Sequence, residues 1–178
     1  MGNNTRVIEQ SIILLLGANE RPVRSMLLLE KEVFLLTEAI PKFRKAIPFS
    51  AHYKGPYSQE VKELAIDPVY YKDAIDLNNG IRLTTKGKEA YKEIIEELKA
   101  SPLYNSIITA LKLIRTLYDK LSDNELLLLI YNSYPKYTKK SAISDEIYRD
   151  KEHLSQSLLK KRLITEERYA ELSGQPNV

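Results

Sequence analysis

The residue types that most active sites recruit are thinly spread in this chain. Among 178 residues there is no cysteine, and the only histidines are His52 and His153. Without cysteine there are no disulfides, no thiolate metal ligands and no cysteine nucleophile. Two histidines so far apart do not supply a multi-histidine metal site. His52 lies between Ala51 and Tyr53 in an extended stretch and reads as a packed or surface residue. His153 follows Glu152 in a polar helix and reads as solvated. The 6 glycines are scattered, so no glycine-rich loop cradles phosphate and no Gly-x-Ser-x-Gly elbow exposes a serine. Carboxylates occur in runs such as "EKE" and "EE", which are ordinary solubilising helix faces. No catalytic residue, no metal site and no cofactor is expected, and the sequence does not read as an enzyme.

The chemistry that remains is that of positive charge beside aromatic rings. The net charge is only +3, too small to indicate a polyanionic partner, so placement must carry the argument. From Ala39 to Gln59 the basic residues are Lys42, Arg44, Lys45 and Lys54, with no acid, and Phe43, Phe49, Tyr53 and Tyr57 interleave with them. From Tyr131 to Ile143 the pattern returns with Lys136, Lys139 and Lys140 beside Tyr131, Tyr134 and Tyr137, again without an acid. Arg82, Lys86 and Lys88 add a third basic group. Such segregation offers a face for phosphates. The plainer alternative is a set of solvated lysines on a surface whose composition resembles thermophile usage.

These residues must be positioned by a largely helical chain. A first helix is expected over Asn4–Leu16, stopped by Gly17, and a turn at "ANERP". A second helix is expected from Pro22 to Ile40, ended by Pro41. Bulky alternation over 47–54 predicts an extended segment. Ser58 is a good N-cap for "QEVKELAI", which Pro68 closes. Two short alternating runs, Ala74–Leu77 and Ile81–Leu83, flank "NNG", the signature of a tight hairpin. Thr84 or Thr85 then caps a helix with Ala90, Tyr91, Ile94, Ile95 and Leu98 inward. After Ser101-Pro102 the pattern is wholly helical. A helix with an apolar stripe spans 103–121, and Ser122 with Glu125 forms a capping box for the next. Shorter helices follow at Lys140–Arg149, Lys151–Arg162 and Thr165–Leu172, with a frayed tail "SGQPNV".

This order predicts a mainly α (α+β) protein: a winged helix-turn-helix domain with a small β-hairpin wing over residues 1–101, then an all-helical C-terminal half over 102–178. The stretch "FSAHYKGPYSQEV" resembles a family of mostly uncharacterised archaeal winged-helix-like proteins and, more distantly, the Panacea domain of SocA-type antitoxins. The resemblance rests on Phe34-Leu35, Tyr53, Gly55, Pro56, Tyr57 and Ser58, with "YNSYPKYTKKSAI" as a second element similar to the archaeal group. The "GPYS" turn departs from the valine-containing form common in Panacea domains. The resemblance implies a DNA-binding regulator or a toxin-neutralising module, and no catalytic residue carries over. From the residues alone, "GPYS" reads either as a helix start or as a contact made by Lys54, Tyr57 or the free helix amides.

The expected function is regulation through binding of double-stranded DNA. Lys42, Arg44, Lys45, Lys54, Tyr57, Gln59, Arg82, Lys86 and Lys88 are the expected contacts, with phosphates clamped by the basic loop and wing. One feature opposes direct readout: the helix after Ser58 carries Gln59, Glu60, Lys62 and Glu63, a net charge of −1. The alternative is therefore an antitoxin-type module that binds a partner protein. The stripe over 103–121 would suit a homodimer or packing within the chain. The longest apolar runs, "SIILLL" and "ELLLLIY", are far shorter than a membrane span of roughly 20 residues. With no cleavable signal pattern in residues 1 to 11, a cytoplasmic protein is expected.

Overall fold

Short-range caps and prolines set several of the helix starts. In the structure, a computed structural model that describes residues 2–19 and 21–174, ten α-helices and two small antiparallel hairpins account for most of the described chain. Glu20 of the expected "ANERP" turn and residues 175–178 of the expected frayed tail lie outside the described residues. No helix among the described residues is long and apolar enough to cross a membrane.

The chain divides into two compact units, Met1–Phe49 with Ser58–Asp119, and Ser50–Tyr57 with Lys120–Val178. The first holds α1 (Gly2–Gly17), α2 (Met26–Ala39), α3 (Pro41–Ala46), α4 (Gln59–Ile66), the hairpin of β3 (Ile75–Asp76) and β4 (Arg82–Leu83), α5 (Thr85–Lys99) and α6 (Tyr104–Leu117). The expected boundary near residue 101 falls on a turn inside this unit. Helix α6 buries Ile107, Leu111 and Ile114 and packs on α2 and α1. Its apolar stripe is thus used within the chain, leaving Leu113 as an exposed apolar residue.

The second helix begins later than Pro22. Val23 forms an antiparallel bridge with Ile81, its amide donating to the Ile81 carbonyl at 2.8 Å and the reverse bond measuring 2.7 Å. That pairing holds the backbone extended, and Ser25 then caps α2 by accepting from the Leu28 amide at 3.2 Å. Pro41 does more than end α2. It opens α3 at the first helical position, where its fixed φ and missing N–H do no harm. Gly17 closes α1 without a left-handed conformation. A Cβ there would strike the Tyr91 ring of α5, so the glycine serves helix packing rather than chain reversal.

A short hairpin forms around the "NNG" turn. Strands β3 (Ile75–Asp76) and β4 (Arg82–Leu83) pair Ile75 with Leu83 and Asp76 with Arg82, and the turn uses Asn79 at φ 55 and Gly80 at φ 96. Thr84 caps α5 by accepting from the Gly87 amide at 3.1 Å. Ala90 and Ile94 of α5 are buried, while Tyr91, Ile95 and Leu98 are half-buried.

Two polar devices inside the first unit were not predicted. Glu9 of α1, buried, accepts the successive amides of Val69, Tyr70 and Tyr71 at 2.7, 2.9 and 3.0 Å. It thereby fixes the loop that follows α4. Arg115 of α6 is shared by two carboxylates, Glu32 at 3.0 Å and Asp119 at 2.9 Å, and also donates to Asn19 Oδ1 at 2.9 Å. Burial pushes the Glu32 carboxyl up to about 8, Asp119 adds to the rise, and the Arg115 guanidinium opposes it. One guanidinium between two carboxylates, Glu32 buried and Asp119 half-buried, leaves an excess negative charge, and a proton on Glu32 removes it.

The second unit is built around α7 (Asp123–Ser133), with α8 (Ser144–Arg149), α9 (Lys151–Lys160) and α10 (Glu166–Ser173). The capping box is present: Ser122 Oγ accepts from the Glu125 amide at 3.2 Å, and Glu125 accepts from the Ser122 amide at 2.6 Å. Leu126, Leu127, Ile130 and Tyr131 of α7 join Ile147, Leu154, Leu158 and Leu172 in the core. The helix expected over Lys140–Arg149 starts only at Ser144, because Ser141 and Ala142 ahead of it bond to the Tyr53 carbonyl instead of entering a helix.

Candidate nucleic-acid interface

The "HYKGPYS" stretch is not a turn into a helix. Residues 50–52 form β1, residues 55–57 form β2, and the pairing sets His52 opposite Gly55 and Ser50 opposite Tyr57. Tyr53-Lys54 is the tip, and Gly55 at φ 82 supplies the left-handed residue that closes it. Only after this hairpin does Ser58 cap α4, accepting from the Val61 amide at 3.4 Å.

The hairpin packs against the 3-10 turn of Pro135–Thr138, in the same unit. The Lys54 part of the first basic, acid-free segment is therefore brought against the second, which the sequence keeps some 80 positions away. Ser141 is the joint. Its hydroxyl donates to the Tyr53 carbonyl at 3.2 Å, accepts from the Ile143 amide at 3.2 Å, and lies 2.7 Å from the Tyr131 hydroxyl, which completes its bonding as a donor. The Ala142 amide donates to the same Tyr53 carbonyl at 3.0 Å. Burial raises the Tyr131 phenol above its ordinary range, which keeps that proton in place.

On this joined surface Lys54, Lys136, Lys139 and Lys140 are exposed, and none makes an ion pair among the described residues. Lys136 stands 4.9 Å from the centre of the buried Tyr137 ring. Tyr57, half-buried, stacks on His52 with ring centres 4.6 Å apart and 25° between planes. His52 meets Tyr53 edge to face at 4.8 Å. Tyr53 itself is 66% exposed.

The other expected contacts belong to the first unit and are not gathered in one place. Lys42, Arg44 and Lys45 lie on α3. Lys42 lines a cleft of about 150 Å³ with Ile94, Glu97 and Leu98, near the C-terminal end of α5. Lys86 and Lys88 sit at the other end of that helix, and ten residues from Lys88 to Leu98 span about 15 Å. Several of these cations are already matched. Arg44 pairs with Glu38 at 3.1 Å, Arg82 places Nε and NH2 on Asp76 Oδ2 at 3.0 and 2.8 Å, and Lys86 meets Asp73 at 2.8 Å. The Lys86 hydrogen bond holds Asp73 below its usual range; the Asn78 amide and then Arg82 do the same for Asp76. Lys42, Lys45 and Lys88 are exposed and remain without an ion pair among the described residues. Gln59 donates to Glu63 at 2.7 Å, which occupies its amide along the helix face.

Sequence reasoning noticed Lys136, Lys139 and Lys140 but left them out of the contact set, because nothing local links them to Lys54. It missed the exposed apolar group at the end of α4, where Ile66, Val69 and Tyr70 are 53, 57 and 51% exposed. The chain matches no known family model and no curated protein.

Proposed function

We propose that this protein is a nucleic-acid-binding regulator that grips the phosphate backbone of DNA through the surface formed by the β1–β2 hairpin and residues 134–143. The observation that carries this reading is the Tyr53 carbonyl bonded at once to Ala142 and Ser141. It locks two lysine-bearing turns together and gives Lys54, Lys136, Lys139 and Lys140 a fixed common frame. Cations held this way release condensed counterions when they meet a polyanion.

The first unit suits a winged-helix scaffold. Helices α1, α2 and α4 come in the required order, and Val23 adds an extended residue to the β3–β4 hairpin. This agrees with the resemblance to archaeal winged-helix-like proteins. Lys42, Lys45 and Lys88 would add phosphate contacts there, and the wing cations Arg82 and Lys86 would exchange exposed carboxylate partners for phosphates. Such exposed pairs contribute little to stability and are readily given up.

Duplex binding measured by fluorescence anisotropy against salt tests the reading. Four displaced contacts give a log–log slope of about −3 to −4. Replacing Lys54, Lys136, Lys139 and Lys140 with alanine should flatten that slope and weaken all sequences alike. A salt-independent affinity overturns the phosphate grip. A loss seen only on replacing Lys42, Lys45 and Lys88 moves it to the first unit.

A second reading, a protein-binding module, is favoured by one observation. Helix α4 bears Glu60 and Glu63, with Asp67 as its C-cap, and exposed Ile66 at its last position lies near exposed Val69 and Tyr70 of the loop that Glu9 holds in place. Retention of a partner protein by the native chain but not by an Ile66→Ser/Tyr70→Ser variant, with no DNA binding by either, would establish it.

A further inference from the structure

From the hairpin tip we infer that this surface takes unpaired nucleotides, with a base stacked on the Tyr53 ring. The inference rests on the nucleic-acid reading above and specifies which form of nucleic acid the site accepts.

A phosphate grip on a duplex needs cations and nothing more. The tip offers something else. Tyr53 leaves 66% of its surface in water, although its backbone carbonyl is tied to a second segment. The carbonyl accepts from the Ala142 amide at 3.0 Å and the Ser141 hydroxyl at 3.2 Å. The ring is braced edge to face on His52, which stacks in turn on Tyr57. A ring fixed this way loses little freedom when a flat partner lands on it.

The partner has to supply a π-face and negative charge close together. Lys54 follows Tyr53 in sequence, and Lys136, Lys139 and Lys140 are exposed on the segment bonded to the Tyr53 carbonyl. Neither segment contributes an acid. Bases within a duplex have their faces occupied by neighbours, so a protruding ring cannot reach them unless a base is unstacked. A single strand presents base and phosphate together, and aromatic rings flanked by cations are the general means of holding one without regard to sequence.

The test compares a fluorescein-labelled oligothymidylate of about 15 nucleotides, within the range of single-strand site sizes, with a duplex of equal length at the same salt. The native chain should prefer the single strand. Tyr53→Ala, which keeps the backbone carbonyl, should weaken single-strand binding by about tenfold and duplex binding far less, while Tyr53→Phe, which keeps the π-face, should bind as the native chain does. Tyr53 is exposed, and an unchanged far-UV circular dichroism spectrum would show that the variant folds. Equal affinity for both probes, with Tyr53→Ala without effect, overturns this inference and leaves the phosphate grip standing. Binding of neither probe overturns both.

Discussion

Replacing Glu9 with glutamine changes few atoms and should have a large effect. The carboxylate is 1% exposed. Its Oε1 takes the Val69 amide at 2.7 Å, and its Oε2 takes those of Tyr70 and Tyr71 at 2.9 and 3.0 Å. A glutamine whose oxygen sits at the Oε2 position keeps Tyr70 and Tyr71 as donors, but without the charge. Its NH2 then faces the Val69 N–H, donor against donor, in a place water barely reaches. Hydrogen bonds to a charged group contribute about 1.5–3 kcal/mol, and an orphaned buried donor costs about 1–3 kcal/mol. Because the three bonds share one carboxylate and its desolvation, they do not simply add. A loss of about 2–4 kcal/mol is expected for Glu9→Gln, and more for Glu9→Ala, which abandons all three amides. Urea unfolding followed by circular dichroism measures it, with an unchanged slope showing that the unfolded state is the same. Hydrogen exchange at the amides of residues 69–71 should quicken. A Glu9→Gln variant within about 0.5 kcal/mol of the native chain, the size of an ordinary surface change, would refute the argument that this carboxylate is the anchor of the loop.

Glu32, its carboxyl pushed up to about 8, holds a proton in the folded chain at a pH where the unfolded chain has released it. Its contribution is therefore fully present below the ordinary carboxyl range and lost as pH rises toward about 8. Stability measured across that window should fall by at most about 1.4 kcal/mol per pH unit, and Glu32→Gln should remove the dependence; parallel curves for the two proteins would contradict it. Gly17→Ala should lower stability by about 1–3 kcal/mol through overpacking against Tyr91, and Tyr91→Ala in the same chain should return part of the loss; additive losses in denaturant titrations would show that the two do not meet.

Much of the fold was legible because it is decided within a few residues. Ser58, Thr84 and Thr165 cap their helices through amides three positions on, and the Ser122–Glu125 box is equally local. The "NNG" turn needs left-handed backbone at Asn79 and Gly80, and the residue types announce it. Pattern reasoning failed where a distant partner overrode the local signal. Pro22 looked like a helix start, but Ile81 draws Val23 into a bridge. "GPY" looked like an entry turn, but residues 50–52 recruit it as a strand.

The candidate site shows the same division more sharply. The sequence alone determined which segments carry lysines and tyrosines without acids, since that is composition. It could not say which cations stay free, because an ion pair depends on where a carboxylate lies in space. Arg82 and Asp76 face each other only once the hairpin forms, and Lys86 reaches back to Asp73. Nor could it join Tyr53 to Ser141, which are 88 positions apart. Backbone carbonyls and hydroxyls have no preferred partner in sequence. Only closure of the chain over its core decides which of them meet.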